Sequence, residues 1–240
     1  MVKNVLREVC PPIAWRGLRA ARKRLSWSKG ETTEQGPDRN TTQPGTQDLE
    51  VYWDPKMAEI LETWGEKTVW REIQLLMSDR KGRILDIACG TGKTMSLLER
   101  FPEIEVHGCD ISDLLIGKAK ERGIAGDRLM VADAASLPYP DGSFDYAYTI
   151  GSLEHFTEEG IERVLCECQR VVKGTSFHMV PVSRSGRDEG WVKTLQSFYN
   201  NSPAWWERRC RASYPVVRVL ESVWTGDASE GIWLICSSEQ

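Results

Sequence analysis

The residues best suited to chemistry in this chain are an acidic side chain and a turn of small residues directly after it. Residues 83–92 read Arg-Ile-Leu-Asp-Ile-Ala-Cys-Gly-Thr-Gly, so a short apolar run carries Asp86 and then gives way to the turn. This pattern is typical of a buried strand that leads through a tight turn into a helix. Small residues let a ligand approach the backbone, and the helix start offers free N–H groups. Because Asp86 would repel a phosphate, the turn favours a ligand that carries an ammonium group.

Two other kinds of glycine-rich motif are excluded by single positions. Residues 92–94, Gly-Lys-Thr, are similar to the end of a phosphate-binding P-loop, but that motif requires a glycine where Ile87 stands. A dinucleotide-binding motif requires a third glycine three residues after Gly92, where the chain has Met95. We therefore predict that Lys93 and Thr94 belong to the first turn of the following helix.

Two more carboxylates follow the next predicted strands. Residues 105–111 form a short strand that ends at Asp110, where a carboxylate can accept two hydrogen bonds from a ribose diol. A third strand is expected from Leu129 to Ala134 and ends in Asp133. An aspartate at the end of a strand also caps helices, so that role stays open for Asp133.

The first motif resembles that of the class I S-adenosylmethionine-dependent methyltransferases. Residues 137–145, Leu-Pro-Tyr-Pro-Asp-Gly-Ser-Phe-Asp, resemble the segment before the fourth strand of methyltransferases of type 11, such as the ubiquinone and menaquinone C-methyltransferases. The resemblance implies an α/β fold with a Rossmann-like seven-stranded sheet, helices on both faces and an antiparallel last strand. It implies S-adenosylmethionine as cofactor and S-adenosylhomocysteine as product. The turn would hold the methionine part, Asp110 the ribose and Asp133 the adenine. The cofactor-binding residues implied in this way are Asp86, Ala88, Gly90, Gly92, Asp110, Ile111, Asp133, Ala134, Ile150 and Tyr52.

Helical patterning between residues 55 and 77 precedes the first motif. In related methyltransferases this segment lies over the cofactor as a lid, and Tyr52 and Trp53 stand at its start. An aromatic face attracts a positively charged sulfonium. Ordinary packing of these two aromatic residues at a domain edge is the alternative.

Glu154 and His155 are the candidate catalytic residues. They follow the fourth predicted strand, residues 146–150, and ligands of open α/β sheets bind beyond the carboxyl ends of the strands. If the acceptor is a hydroxyl, His155 is the best-placed general base, and Glu154 would orient it or replace it. The alternative is a histidine at a helix start that bonds to the backbone. The sequence has no cluster with metal-ligand spacing, so we expect no metal.

Residues 191–214 are expected to form a substrate-recognition insert. The candidate substrate-binding residues in it are Tyr199, Trp205, Trp206 and Arg208. Aromatic rings can stack on sugars and arginine binds phosphates, so the expected acceptor is a hydroxyl of a sugar in a surface glycan or its nucleotide- or lipid-linked precursor. Alternatively, the two tryptophans belong to the core of the insert or to a homodimer contact.

Composition divides the chain into three parts. Residues 1–27 predict a basic amphipathic helix, residues 28–50 a flexible linker with almost no apolar side chains, and residues 51–240 the methyltransferase domain. The first thirty residues carry a net charge of +7, whereas the whole chain carries −4. A basic helix of this kind can lie on an anionic membrane. It resembles the leader of bacterial methyltransferases and glycosyltransferases of surface-polysaccharide assembly, such as O-antigen or lipopolysaccharide biosynthesis. A basic arm that packs on the acidic domain, or that stays disordered, is the alternative.

Three functional hypotheses remain open at this point. The first is the sugar O-methyltransferase; the second is a C- or O-methyltransferase of a quinone or other small metabolite. The third is a catalytically silent scaffold with a methyltransferase fold. The seven cysteines show no pairing pattern and are expected to be reduced, so we predict a cytoplasmic protein. The basic helix of residues 1–27 adds the prediction of peripheral contact at the inner face of the membrane. No nucleic-acid partner is expected.

Overall fold

The structure is a computed structural model that describes residue 47, residues 49–193 and residues 196–238. The expected N-terminal helix, residues 1–27, and nearly all of the expected linker lie outside the described residues. Within the described ranges, no helix is both long and apolar enough to cross a bilayer.

One seven-stranded sheet organises the domain, and a two-stranded hairpin stands apart from it. In chain order the strands are β1 (Gly82–Ile87), β2 (Ile104–Asp110), β3 (Leu129–Val131), β4 (Phe144–Ile150), β5 (Val172–Ser183), β6 (Trp191–Val192), β7 (Phe198–Tyr199), β8 (Val216–Thr225) and β9 (Ser229–Ser237). The large sheet has the order β3-β2-β1-β4-β5-β9-β8, while β6 pairs with β7.

The strand directions confirm the expected Rossmann-like methyltransferase sheet. Strands β1 to β5 pair in parallel, and β9 is antiparallel to both of its neighbours, β5 and β8. The strand order reverses between β1 and β4, and open α/β sheets bind ligands in the crevice beyond the carboxyl ends at such a point. The topology therefore directs attention to the turns that follow β1, β2 and β4.

Within the described residues there are six α-helices. They are α1 (Pro55–Leu61), α2 (Val69–Met77), α3 (Lys93–Leu98), α4 (Asp113–Glu121), α5 (Glu158–Val171) and α6 (Pro203–Ser213). Of these, α2 to α6 cover the two faces of the sheet. One apolar core lies between the sheet and α2, α3 and α4, and a second lies against α5 and α6. Short 3₁₀ turns at Leu49–Trp53 and Leu153–His155 border the crevice.

Two predicted elements differ from the structure in extent. The helical pattern of residues 55–77 is divided into α1 and α2, because the chain turns at residues 62–68. Gly65 permits close packing there, since a Cβ at this position would lie 2.6 Å from Trp70 Nε1. Strand β3 ends at Val131, before the expected Ala134, and the N–H of Ala132 donates instead to the carbonyl of Asp110 at 2.9 Å.

Candidate active site

A cavity of about 1000 Å³ opens at the carboxyl ends of β1, β2 and β4. This volume is at the upper end of the range for small-molecule sites, so the cavity has room for a cofactor and a second ligand. Its lining includes both candidate catalytic residues and nine of the ten residues expected to bind the cofactor. The nine are Tyr52, Asp86, Ala88, Gly90, Asp110, Ile111, Asp133, Ala134 and Ile150. Gly92 is outside the lining.

The turn after β1 is built from left-handed backbone conformations. Ala88, Gly90 and Gly92 have φ angles of 60°, 54° and 69°, and Ala88 is the one non-glycine residue with a positive φ among the described residues. Gly92 is required for packing as well, because a Cβ there would lie 2.4 Å from Ile124 Cδ1. Arg122 Nε donates to the carbonyl of Thr91 at 3.0 Å, so α4 also supports this turn.

Asp110 is held by two backbone donors. One carboxylate oxygen accepts from the N–H of Gly90 at 2.9 Å, and the other accepts from the N–H of Ser112 at 2.9 Å. Burial raises the pKa of this carboxyl group, while these N–H bonds oppose that effect. Because each carboxylate oxygen can accept more than one hydrogen bond, the side chain retains capacity for a ligand hydroxyl.

Asp86 lies deeper in the cavity wall and accepts two side-chain hydrogen bonds. Thr94 Oγ1 donates to its Oδ2 at 2.6 Å, and the Tyr148 hydroxyl donates to the same atom at 2.8 Å. Burial, together with the nearby charge of Asp110, raises the pKa of Asp86 to about 7, although the hydrogen bonds from Thr94 and Tyr148 act in the opposite direction. Buried carboxyl groups without a counterion favour a cationic ligand. This charge distribution suits S-adenosylmethionine, which carries an ammonium and a sulfonium group.

Asp133, on the same side of the cavity, is exposed. Its Oδ1 accepts from the N–H of Ala135 at 2.9 Å, so it also stabilises the local turn. The adenine contact predicted for it stays a prediction.

The segment before α1 spans the cavity. Ser112 Oγ donates to the carbonyl of Tyr52 at 2.7 Å, and Gln196 Nε2 donates to the Tyr52 hydroxyl at 3.0 Å. Trp53 Nε1 donates to Asp113 Oδ1 at 2.8 Å, so Trp53 anchors the segment on α4, and it is 41% exposed. Tyr52 thus contacts both the ribose end expected at Asp110 and the insert hairpin.

Glu154 and His155 lie in the short turn after β4 and line the same cavity. His155 Nδ1 lies 2.9 Å from the carbonyl oxygen of Ser197, and since a carbonyl only accepts, Nδ1 carries a proton. In the neutral ring, Nε2 is then the basic nitrogen; it lies 3.7 Å from Glu154 Oε1. Both side chains are buried, and burial raises the pKa of Glu154 to about 8.

Aromatic side chains from four separate parts of the chain also line the cavity. The cavity lining includes Trp64 from the turn between α1 and α2, Phe156 after the catalytic pair, Phe198 of β7 and Trp224 near the end of β8. None of these four residues is predicted from the sequence to belong to the site. Their sequence separation leaves no local signal, because only the tertiary fold brings them together.

The substrate role expected for Tyr199, Trp205, Trp206 and Arg208 is not supported by their positions. None of these four is part of the cavity lining. Tyr199 and the two tryptophans pack in the core beside α5, with ring centroids about 5 Å apart, and Trp206 is fully buried. Arg208 lies on the surface, 3.5 Å from Asp188. The insert instead contributes Gln196 and Phe198 to the cavity.

Comparison with known proteins agrees with this geometry. A family model described as a methyltransferase domain matches residues 84–175, the segment that contains Asp86, Asp110, Asp133, Glu154 and His155. A solved structure from Pyrococcus horikoshii has a TM-score of 0.55 and 24% identity, and the match covers 70% of this chain and 91% of that one. At this identity the likeness shows the fold alone.

Two curated relatives are methyltransferases by name. Demethylmenaquinone methyltransferase of Thermotoga maritima is 35% identical over 114 residues, which cover 46% of this chain and 48% of the relative. A 27-O-demethylrifamycin SV methyltransferase of Amycolatopsis mediterranei is 32% identical over 127 residues, which cover 51% of this chain and 46% of the relative. This chain spans about half the length of each. Residues 84–175 accordingly match a methyltransferase domain, for which S-adenosylmethionine is the cofactor.

Proposed function

We propose that this chain, with its class I methyltransferase domain, transfers a methyl group from S-adenosylmethionine to a hydroxyl oxygen of a small, ring-containing acceptor. The observation that carries the proposal is that one cavity joins the carboxyl groups of Asp86 and Asp110 to an aromatic chamber that contains Glu154 and His155. A cofactor held by Asp86 and Asp110 and an acceptor held beside Glu154 and His155 would therefore occupy one continuous cavity, with no protein atoms between them.

The chain's own residues would bind and align the two reactants. When bound, S-adenosylmethionine supplies a methyl group on a positively charged sulfur, which an acceptor oxygen displaces in line. Asp110 would accept hydrogen bonds from the ribose hydroxyls, and the glycine turn would admit the methionine part. His155 would take the hydroxyl proton at Nε2, because the Ser197 carbonyl keeps the proton of the neutral ring on Nδ1.

The aromatic residues of the cavity lining favour a small apolar acceptor over the sugar expected from the sequence. The residues expected to stack on a sugar are core or surface residues, and the two relatives are named for a menaquinone precursor and a rifamycin. A glycan acceptor thus has no specific observation in its favour. The membrane contact of residues 1–27, the homodimer and the cytoplasmic location remain predictions.

The proposal is tested by methyl transfer from deuterium-labelled S-adenosylmethionine to three acceptors: a hydroxychromone, a hydroquinone and a uridine diphosphate sugar. Mass spectrometry reports the labelled product. We expect transfer to the aromatic hydroxyls, and a loss of about 10²- to 10⁴-fold in kcat/KM for His155→Gln with unchanged S-adenosylhomocysteine affinity. Asp127→Asn, an exposed substitution after α4, is the matched control.

Three results would contradict the proposal in different ways. Transfer to the nucleotide sugar alone would favour the glycan hypothesis. Cofactor binding without transfer to any acceptor would favour the scaffold hypothesis. A folded protein that does not bind the cofactor at millimolar concentration would exclude the enzyme altogether.

A further inference from the structure

We infer that Glu154 attracts the positively charged sulfur of S-adenosylmethionine, and that it thereby favours this form of the cofactor over the neutral product, S-adenosylhomocysteine. The inference rests on the proposed function, in which the cofactor and the acceptor occupy the cavity that Glu154 lines. It assigns to Glu154 a role in cofactor specificity, which is separate from the orientation of His155.

Glu154 is a buried carboxyl group that pairs with no lysine or arginine in the part of the chain that the structure describes. The residue is 5% exposed, and its Oε2 has no hydrogen-bond partner among the described residues. Burial is the largest influence on its pKa and raises it to about 8, and no charged side chain opposes this effect. A cation that enters beside such a group favours its ionised form and is attracted by it.

An aromatic ring lies beside this carboxyl group. A Cβ on Gly151 would lie 3.2 Å from Cη2 of Trp64 and 3.5 Å from Glu154 Oε1, so the ring and the carboxyl group border the same small space. Glycine at this position leaves that space open to the cavity. Because tryptophan also attracts cations through its π electrons, both neighbours of Gly151 favour a positively charged ligand group.

The order of the strands indicates which part of the cofactor approaches Glu154. Strand β1 lies between β2 and β4; Asp110 ends β2, Asp86 lies near the end of β1, and Glu154 follows β4. The sulfur of S-adenosylmethionine joins the ribose to the methionine part, so it would lie between the groups assigned to Asp110 and to the turn after β1. Since the proposed function holds the acceptor beside Glu154, the methyl group and the sulfur that carries it would face this residue.

The other two carboxyl groups are not suited to distinguish the two forms of the cofactor. The ribose hydroxyls expected at Asp110 and the ammonium group expected at Asp86 are present in both S-adenosylmethionine and S-adenosylhomocysteine. Only the charge on sulfur differs. A sulfonium has no N–H or O–H to donate, so charge is the property by which the protein can recognise it, and an opposite charge acts over about 4–6 Å.

The test measures the affinities of three ligands for the full chain by calorimetry, without an acceptor. The ligands are S-adenosylmethionine, S-adenosylhomocysteine and sinefungin, an unreactive analogue that carries an ammonium group where the sulfonium methyl would be. We expect Glu154→Gln to lower the affinity for the two cationic ligands about tenfold and to leave that for S-adenosylhomocysteine within about twofold. Glu154→Met, uncharged and similar in length, should give the same shift. Glu159→Gln, an exposed substitution on α5, should change none of the three affinities.

Equal losses for all three ligands would show that Glu154 acts only through the shape of the cavity, and would overturn the inference. An unchanged ratio between the affinities for S-adenosylmethionine and S-adenosylhomocysteine would also overturn it, and so would a loss confined to sinefungin, which would indicate a hydrogen bond to its ammonium group. Binding of S-adenosylhomocysteine verifies the fold of each variant. A folded wild type that binds none of the ligands would contradict the proposed function itself, whereas binding of all three with unchanged ratios would contradict only the role of Glu154.

Discussion

The backbone N–H of Gly90 donates a hydrogen bond of 2.9 Å to the carboxylate of Asp110, and so connects the turn after β1 to the end of β2. The second oxygen of Asp110 accepts from Ser112, the residue that caps α4. One carboxylate therefore fixes the relative positions of two strand ends and one helix start. The cofactor end of the cavity is formed by bonds within the protein, so it is already shaped for its ligand.

Replacement of Asp110 by alanine should remove the cofactor site. The variant loses the acceptor for the ribose hydroxyls and leaves the N–H groups of Gly90 and Ser112 without their partner. We expect the affinity for S-adenosylhomocysteine to fall about 100-fold, the effect of two hydrogen bonds to a charged group. Calorimetry measures this affinity, with Asp127→Asn as the control. An unchanged affinity in a folded Asp110→Ala protein would assign the ribose to another residue.

The protein should be more stable with a glycine at position 88 than with Ala88. Its φ of 60° places an alanine Cβ in the left-handed region, which costs about 1 kcal/mol relative to glycine. We expect Ala88→Gly to raise the free energy of unfolding by up to about 1 kcal/mol, part of which is offset by greater freedom of the unfolded chain. Ala125→Gly, at an exposed position with φ of −60°, should lower it by about 0.5–1 kcal/mol. Urea denaturation measures the free energy of unfolding of both variants. A decrease for Ala88→Gly as well as for Ala125→Gly would show that the backbone at Ala88 is not strained.

A side chain at position 92 should be destabilising through contact as well as conformation. Gly92→Ala would place its Cβ 2.4 Å from Ile124 Cδ1, and we expect a loss of about 2–4 kcal/mol. Gly186 has nearly the same φ, 68°, and nothing within 4 Å of the added Cβ, so Gly186→Ala should lose only about 1 kcal/mol. Adding Ile124→Val to Gly92→Ala removes the colliding methyl and should restore part of the loss. If Gly92→Ala and Gly186→Ala lowered the free energy of unfolding equally, the backbone conformation would account for the whole effect and the contact with Ile124 for none of it.

The sheet and the cofactor end could be predicted because their signals are local. A buried run that ends in Asp86 and a glycine turn is contiguous in sequence, and Asp110 stands at the end of the next strand. Nine of the ten residues predicted on this basis line the cavity. Gly92 does not line the cavity. Its φ of 69° and its missing side chain instead let the turn pack closely against Ile124 and Ala119.

The acceptor end could not be predicted because it is assembled from distant segments. Trp64, Phe198 and Trp224 meet in the cavity only after α1, the β6–β7 hairpin and β8 have packed. Residue type alone favoured Trp205 and Trp206 as ligand contacts. Residue type does not distinguish a ligand contact from a core residue, because an aromatic pair on one helix faces inward as readily as outward. Arg208 is also outside the cavity lining, and it pairs on the surface with Asp188, which lies twenty residues earlier in the sequence.

Glu72 should be important for stability although it lies far from the turn after β1. Its carboxylate accepts from Trp233 Nε1 at 2.8 Å, from Ser222 Oγ at 2.7 Å and from the N–H of Val223 at 2.5 Å. It thereby joins α2 to the irregular part of edge strand β8. We expect Glu72→Ala to cost about 2–3 kcal/mol, because it leaves partly buried donors unpaired.

The control for Glu72 is Glu121→Ala, which removes only an exposed pair with Lys118 and should leave the free energy of unfolding almost unchanged. Thermal and urea denaturation provide both values. A loss no greater than that of Glu121→Ala would show that solvent replaces the Glu72 bonds.

Glu154 should make the protein less stable as the pH rises. Burial raises the pKa of this carboxyl group to about 8 in the folded state, from an ordinary value of 4.5. Between these pH values the unfolded chain has released the proton while the folded chain still holds it, so the folded state binds more protons and the free energy of unfolding falls with pH. The contribution is fully present below pH 4.5 and is lost as the pH passes 8.

Glu154→Gln lacks this titration, so its free energy of unfolding relative to the wild type should rise between pH 5 and pH 9, by up to a few kcal/mol at about 1.4 kcal/mol for each unit of pKa. Urea denaturation at several pH values measures the difference between the two proteins, in which the titration of groups common to both, such as Asp86, largely cancels. Glu159→Gln, on the exposed face of α5, is the control for the substitution itself. Parallel curves for wild type and Glu154→Gln would mean that Glu154 is ionised in the folded protein at neutral pH.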